Sequence, residues 1–170
     1  MEQSVSGWFS CRTHQEQKRQ TYALEVFQKV NLINSNIHLI FIGRHEEEYT
    51  SILLNKIEKY NLKNKVTLLN FTFDLNTYYA SADLLLAPSI NEGHGRTIIE
   101  ALIHNVPVIA TKSGGHIEIL KNYHQAPLVG VDNKRQMTEE IVKLINNKKR
   151  NKFLNVTNFL LKNHNVLDHT

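Results

Sequence analysis

Cysteine is almost missing from this chain of 170 residues: Cys11 stands alone, so no intramolecular disulfide can form. That excludes an oxidised, secreted scaffold and favours a reducing cytoplasm. Met1 to Ser10 lacks the charged start and apolar core of a signal peptide, and no apolar run approaches the roughly 20 residues of a membrane helix. The expectation is a soluble, cytoplasmic protein. The nine histidines are scattered, without a Cys/His cluster or a His-Glu-x-x-His pattern, so no metal is expected. Internal repeats and low-complexity linkers are lacking as well.

Charge of one sign is in only slight excess. The formal net charge is +4, and the basic residues are dispersed apart from Lys148-Lys149-Arg150. Without an aromatic stacking platform or a recognised motif beside it, this charge does not define a nucleic-acid surface. Attraction to anionic lipid or to an acidic acceptor is a better use of it, so a peripheral membrane position is a compatible reading. With 41% hydrophobic residues the chain can bury one sizeable core.

Strand-like and helix-like patterns alternate along the sequence. Val5 to Cys11 reads as a first strand, followed by a helix near Glu16 to Val30 with Ala23, Val26, Phe27 and Val30 on one face. Asn36 to Ile42 reads as a strand ended by Gly43, then a helix over about Glu46 to Tyr60 carries Ile52, Leu53, Ile57 and Tyr60. Lys65 to Leu69 is the third strand, and Asp74 to Ala82 a short helix with Asp74 as N-cap. Leu84 to Ala87 and Pro107 to Ala110 are further strands, with a helix between them. A short helix after Gly114-Gly115, a weak strand at Pro127 to Val131 and a helix over Lys134 to Asn147 complete the series. Such alternation predicts an α/β fold: a single Rossmann-like, doubly wound parallel sheet with helices on both faces, spanning residues 1–147. Residues 148–170 form a basic, then apolar tail, expected to be helical, which either packs on this domain or contacts something else.

In such sheets ligands sit beyond the carboxyl ends of the strands. That rule lines up Arg12, Gly43, the residues after Leu69, Glu92 to Thr97 and Gly114-Gly115 along one edge. The most telling stretch is Ser89-Ile-Asn-Glu-Gly-His-Gly-Arg-Thr-Ile-Ile-Glu100, between a strand and a helix. A helix N-terminus offers unpaired N–H groups and the positive end of the dipole, and glycine allows close approach, so the turn suits a phosphate. Glu92 and Glu100 would repel that phosphate but suit hydroxyl groups attached to it. Together they point to a sugar phosphate or a nucleotide sugar.

The block from Pro88 to Ala110, with Gly114-Gly115 and Glu118 after it, resembles the donor-binding signature of the retaining nucleotide-sugar glycosyltransferases of family 4, which have the GT-B fold. Those enzymes carry Pro-Ser, then Glu-Gly-Phe-Gly, a second Glu eight residues after the first, and a Pro-Val strand; here these are Pro88-Ser89, Glu92-Gly93-His94-Gly95, Glu100 and Pro107-Val108. The resemblance runs from the first strand to about Asn147, and it corresponds to the C-terminal half of such an enzyme. It implies that Glu92 holds donor-sugar hydroxyls, that Glu100 binds the ribose, and that backbone N–H groups around Gly95, Arg96 and Thr97 hold the distal phosphate. Arg12 and Lys18 would stabilise the departing diphosphate. Glu92, Arg12 and Lys18 are thus the expected catalytic set. Gly93, His94, Gly43 and Phe71, the last in the Asn70 to Phe73 loop near the base, complete the expected donor site. The only small molecule implied is the nucleotide sugar, with no cofactor or metal.

Four departures from the family pattern stand out. His94 replaces a phenylalanine, which adds a polar side chain that can reach sugar or phosphate. Arg96 replaces a small or aliphatic residue, and Arg19 and Asn105 replace glycines. Gly114-Gly115 has two readings, a shaper of the donor pocket or a simple helix start. Because the resemblance is to the second GT-B domain alone, transfer is expected to need an N-terminal acceptor domain or a separately encoded partner. The alternative is an inactive nucleotide-sugar binding module or a truncated remnant; an epimerase half fits the Glu-Gly-x-Gly signature less well.

Overall fold

The computed structural model describes residues 19–44, 46–121, 123 and 125–147, together with the backbone of a strand at Ser6–Ser10. Arg12, Lys18 and the tail 148–170 lie outside the described residues. In chain order the elements are β1 (Ser6–Ser10), α1 (Gln20–Ile33), β2 (Ile37–Gly43), α2 (Glu47–Lys59), β3 (Val66–Asn70) and α3 (Asn76–Ser81). They continue as β4 (Leu84–Ala87), α4 (Arg96–Ile103), β5 (Val108–Thr111), α5 (Gly114–Leu120), β6 (Leu128–Val129) and α6 (Lys134–Asn147).

The strands form one sheet in the order β3-β2-β1-β4-β5-β6, and every pairing is parallel. The expected doubly wound α/β sheet is therefore present. Parallel strands buried on both faces need apolar residues at consecutive positions, and all seven residues of β2 are buried. Their side chains divide by alternation: Leu39 and Phe41 enter one apolar cluster with α1, α2 and α6, whereas Ile40 and Ile42 enter a second with α3, α4 and α5. Leu84 and Leu86 against Leu85 and Ala87 repeat the division on β4. On α1 the expected face, Ala23, Val26, Phe27 and Val30, is fully buried in the first cluster. Glu25 of α1 pairs with Lys56 of α2 at 2.8 Å and with Lys134 of α6, tying the three helices of that face together at their rim. Burial pushes the Glu25 carboxyl up, but the two lysines outweigh it and hold the group below its usual range.

The chain order reverses between β1 and β4. Strands β2 and β3 lie to one side of β1, and β4, β5 and β6 to the other, so the connections leaving β1 and β4 diverge and open a crevice at the carboxyl edge.

Several boundaries differ from the sequence expectation for local reasons. The helix expected from Glu16 begins at Gln20, because Arg19 has φ 55° and ψ 43°, a left-handed conformation that cannot belong to an α-helix. It runs three residues past Val30, to Ile33. Asp74 does not occupy the N-cap position of α3, which falls on Leu75; its Oδ1 instead accepts the N–H of Asn76 at 3.2 Å. Ile52 is 43% exposed and faces away from the core that takes Leu53 and Ile57. The two positions that replace family glycines both keep a glycine-like backbone: Arg19 and Asn105 have φ 55° and 56°. Arg19 compensates through its side chain, which donates to the Val131 carbonyl, pairs with Asp132 at 2.7 Å and covers the Tyr22 ring.

Candidate functional site

β4 ends at Ala87, and the chain from Pro88 to Gly95 turns back to start α4. Gly95 makes that start possible. Its φ is +55°, a conformation that residues with a Cβ rarely adopt; a Cβ there would stand 2.5 Å from Ile119 Cδ1, a flexible side-chain end that can move aside, so the backbone conformation is what selects glycine. The first backbone bond of α4 runs from the Ile98 N–H to the Gly95 carbonyl at 2.9 Å. By helix geometry the Arg96 and Thr97 N–H groups then project from the helix start rather than into it. The Gly95 N–H is engaged by Glu92 Oε1 at 3.3 Å.

Glu92 is held more closely than its place in a loop suggests. Its N–H donates to Ser113 Oγ at 3.0 Å, and that hydroxyl donates on to the Ile90 carbonyl at 2.9 Å. Its carbonyl accepts the Gly115 N–H at 2.7 Å. Its side chain is only 13% exposed, and Oε2 stands 3.9 Å from Nε2 of His116, which is itself 1% exposed. The imidazole Nδ1 is 3.1 Å from the Thr111 carbonyl, and the Thr111 hydroxyl donates to the Ser89 carbonyl. The end of β5 and the start of α5 therefore form a polar bracket behind the Glu92 loop.

Gly114-Gly115 starts a helix, the simpler of its two expected uses. The pair opens α5, and the absence of side chains lets the Glu92 loop lie directly against it. A Cβ on Gly114 would be 2.9 Å from the Glu92 carbonyl oxygen, and one on Gly115 would be 2.7 Å from that of Gly93. Neither neighbour is a flexible side chain that could move aside.

Glu100 sits one turn into α4, on the face that also carries Arg96. Tyr79 of α3 donates its hydroxyl to Glu100 Oε2 at 3.0 Å, and the Tyr79 ring stacks on His104 at 5.2 Å between centroids. The Glu100 carbonyl accepts from His104 Nδ1 at 2.8 Å, which fixes the proton on that nitrogen. This carboxylate is anchored from below by a buried phenol, unlike an ordinary surface helix residue.

The remaining expected positions divide into two groups. Gly93, His94 and Arg96 are exposed around the turn, with Thr97 half-buried beside them. Gly43 and Phe71 meet elsewhere on the same edge, because Gly43 pairs with Asn70 in the β2–β3 register. The Arg44 guanidinium lies 5.5 Å from the Phe71 ring centre, and Phe73 meets Phe71 edge-on at 4.9 Å. Three strand spacings separate β3 from β4, about 14 Å, so this aromatic corner and the Glu92 turn can serve opposite ends of one elongated ligand. Sequence reasoning missed Ser113, Thr111, His116, Tyr79 and Arg44. The available signal was their position, since Thr111 closes β5 and Ser113 and Arg44 follow the ends of apolar strands, at the edge where ligands bind.

Among the described residues, no group of three His, Cys, Asp or Glu side chains could hold a metal ion, and no helix is long and apolar enough to cross a membrane. A cavity of about 460 Å³ between α1 and α2 is lined by Thr21, Glu46, Glu48, Tyr49, Ile52 and Lys56; its two glutamates suit no phosphate.

The sheet order, the divergence at β1 and β4, and a helix start flanked by two anchored carboxylates place a polar, ligand-sized crevice at the carboxyl edge of a Rossmann-like domain. The family model for glycosyl transferases group 1 matches residues 9–156, and the chain belongs to that family. Protein CapJ of Staphylococcus aureus is 35% identical over 91 residues, which cover 51% of this chain and 22% of CapJ. The crystal structure of Anabaena HepE in complex with UDP and glucose superposes with a TM-score of 0.74 at 26% identity, covering 84% of this chain and 38% of HepE. The C-terminal domain of LpcC, a glycosyl transferase group 1 family protein from Francisella tularensis, has the same fold at a TM-score of 0.75 and 22% identity, with 75% of it covered. The chain thus corresponds in fold to the C-terminal domain of a GT-B protein, and it spans well under half the length of CapJ and HepE.

Proposed function

We propose that this chain is the donor-binding half of a retaining, family 4 glycosyltransferase, which moves a sugar from a nucleoside diphosphate to an acceptor only together with an N-terminal acceptor domain or partner. The observation that carries the reading is the turn at Glu92 to Thr97, where a helix start suited to an anion lies between two carboxylates held by buried partners. Glu92 takes the hydroxyls of the donor sugar, the Arg96 and Thr97 amides take the distal phosphate, and Glu100 takes the ribose. Gly43 and Phe71 flank the base, with Arg44 and Phe73 completing that corner. Arg12 and Lys18 neutralise the diphosphate as it leaves, a role that needs cationic charge and no metal. That HepE was crystallised with UDP and glucose favours a uridine donor. The chain covers 38% of HepE, the share expected of one half of a two-domain enzyme. The single cysteine suits a reducing cytoplasm, and the net charge of +4 suits an acceptor that is acidic or carried on an anionic membrane.

Calorimetric titration of the purified chain with UDP, GDP, ADP and their sugar conjugates tests the proposal, with Glu100→Ala alongside. The expected result is micromolar to millimolar binding of one nucleotide, weakened about tenfold, or about 1.4 kcal/mol, in the variant. Equal affinity of the variant would remove Glu100 from the ribose site, and binding of none of the nucleotides would refute an autonomous donor site.

A further inference from the structure

We propose that His116 is a positioning residue for the donor sugar: its imidazole is protonated on both ring nitrogens and, as the cation beside Glu92, holds that carboxylate ionised and in one orientation. The sugar-binding part of this inference rests on the donor-site reading above, whereas the protonation state does not.

The argument starts at Nδ1. It lies 3.1 Å from the Thr111 carbonyl oxygen, which can only accept, so Nδ1 carries a hydrogen. The Thr111 hydroxyl gives its own hydrogen to the Ser89 carbonyl, so towards Nδ1, 3.5 Å away, its oxygen is a second acceptor. A neutral imidazole with Nδ1–H would then turn the lone pair of Nε2 towards Glu92 Oε2 at 3.9 Å. Lone pair against carboxylate is repulsive in a site where water screens little. One proton between the two groups resolves the conflict, and it resides either on Nε2 or on the carboxyl.

The surroundings choose Nε2. Glu92 Oε1 accepts the Gly95 N–H at the start of α4, where the helix dipole and the amide both stabilise an anion. The imidazole lies 1% exposed against a carbonyl and a hydroxyl that accept from it, both of which stabilise a cation. Burying either charge alone is costly, but the pair together is neutral. The two carboxylate oxygens are thus anchored separately, one by an amide and one by an imidazolium. Each carboxylate oxygen carries two lone pairs, and the donor-site reading assigns Glu92 to the sugar hydroxyls. Protonated or reoriented, the same carboxyl would lose acceptor capacity for those hydroxyls. The parts assigned to the nucleotide, Glu100 and the Arg96 and Thr97 amides, make no use of His116, so its effect should appear in the sugar and not in the nucleotide.

Two measurements on the full chain test this. In histidine-15N-labelled protein without ligand near pH 7.5, long-range proton–nitrogen spectra should show both ring nitrogens of His116 protonated, with the resonance assigned by its loss in His116→Gln. In Glu92→Gln the ring should revert to the neutral Nδ1–H form. An unprotonated Nε2 in the native chain would overturn the proposal. In the second measurement, the preference for UDP-glucose over UDP should fall about tenfold in His116→Leu, with the loss confined to the sugar conjugate, and should be recovered in His116→Gln, whose amide N–H can face Glu92. Equal weakening of both ligands, or an unchanged preference, would mean that His116 only fills the core. If the native chain binds neither ligand, the donor reading fails, and the ring-nitrogen spectrum still decides the state of His116.

Discussion

His38 and His116 are both buried, at 7% and 1% exposure, yet the two regions around them ask opposite things of an imidazole. His38 stands on β2, where its Nε2 meets the Thr67 hydroxyl of β3 at 2.8 Å, a partner that can serve a neutral ring. Burial, with a smaller contribution from Lys65, pushes its pKa down to about 4. His116 stands behind the Glu92 turn, between a carbonyl and a carboxylate. Burial alone therefore does not set the state of a histidine; the groups that burial places beside it do. The same contrast runs through the molecule. Of the six buried polar residues among those described, Ser89, Thr111, Ser113 and His116 lie where β4 and β5 end, and only Gln20 and His38 lie elsewhere. The β2–β3 side is an apolar scaffold, whereas the β4–β5 side keeps polar groups inside to hold one loop.

This contrast can be broken most strongly from the scaffold. Phe27 is fully buried against α1's neighbours, so Phe27→Ala should cost about 3–5 kcal/mol in denaturant unfolding, with the preference between nucleotide and nucleotide sugar kept by the molecules that remain folded. A loss below about 1 kcal/mol would mean that the site region, rather than this face, dominates stability.

His38 supplies the next effect. Its folded pKa of about 4 lies below the ordinary histidine value of 6.5, so between these values the unfolded chain binds the extra proton. Stability must then fall as the pH drops from 6.5 towards 4, by about 3 kcal/mol, and gain nothing from this group above 6.5. Unfolding midpoints of the native chain and His38→Gln across that window should converge on acidification. Parallel curves would show that His38 is not buried neutral.

On the site side, Gly115→Ala places a methyl 2.7 Å from the Gly93 carbonyl oxygen. The Glu92 turn must shift, so we expect a stability loss of about 1–3 kcal/mol and a drop in nucleotide-sugar affinity of about tenfold or more. Retained affinity would mean that the turn does not touch the ligand. The smallest effect belongs to Asn105, with φ 56°. Asn105→Ala should cost about 1 kcal/mol, whereas Asn105→Gly should stay within about 0.5 kcal/mol of the native chain, as thermal or denaturant unfolding would show.

Much of the fold was legible because its signals are local. The run Leu84 to Ala87 and the helix Lys134 to Asn147 fall where the apolar pattern put them, and the glycine-bearing turn marked the start of α4. Boundaries were missed where a single backbone conformation decided them. Arg19, a good helix former by type, is left-handed and stops α1 from extending back towards Glu16. Asp74 bonds the right kind of group from one position too early. Within the site, Glu92, Glu100 and the turn between them could be read directly, while Tyr79, Ser113 and His116 could not. Those three act on partners 21 to 24 positions away: Tyr79 on Glu100 and Ser113 on Glu92 are 21 apart, and His116 lies 24 beyond Glu92.

The amino-acid sequence by itself determined the alternation of strands and helices, the two-faced burial of the sheet, and the acidic, glycine-bearing turn that carries the family signature. Apolar periodicity and glycine placement are properties of neighbouring residues, and so they survive in one dimension. Only the tertiary structure decided which groups hold the carboxylates. Parallel pairing of β4 with β5 brings Ser89, Thr111, Ser113 and His116 behind Glu92, and the packing of α3 against α4 brings Tyr79 under Glu100. Hydrogen bonds and charges act over a few ångströms, and those distances exist only once the crossovers have folded the chain back on itself.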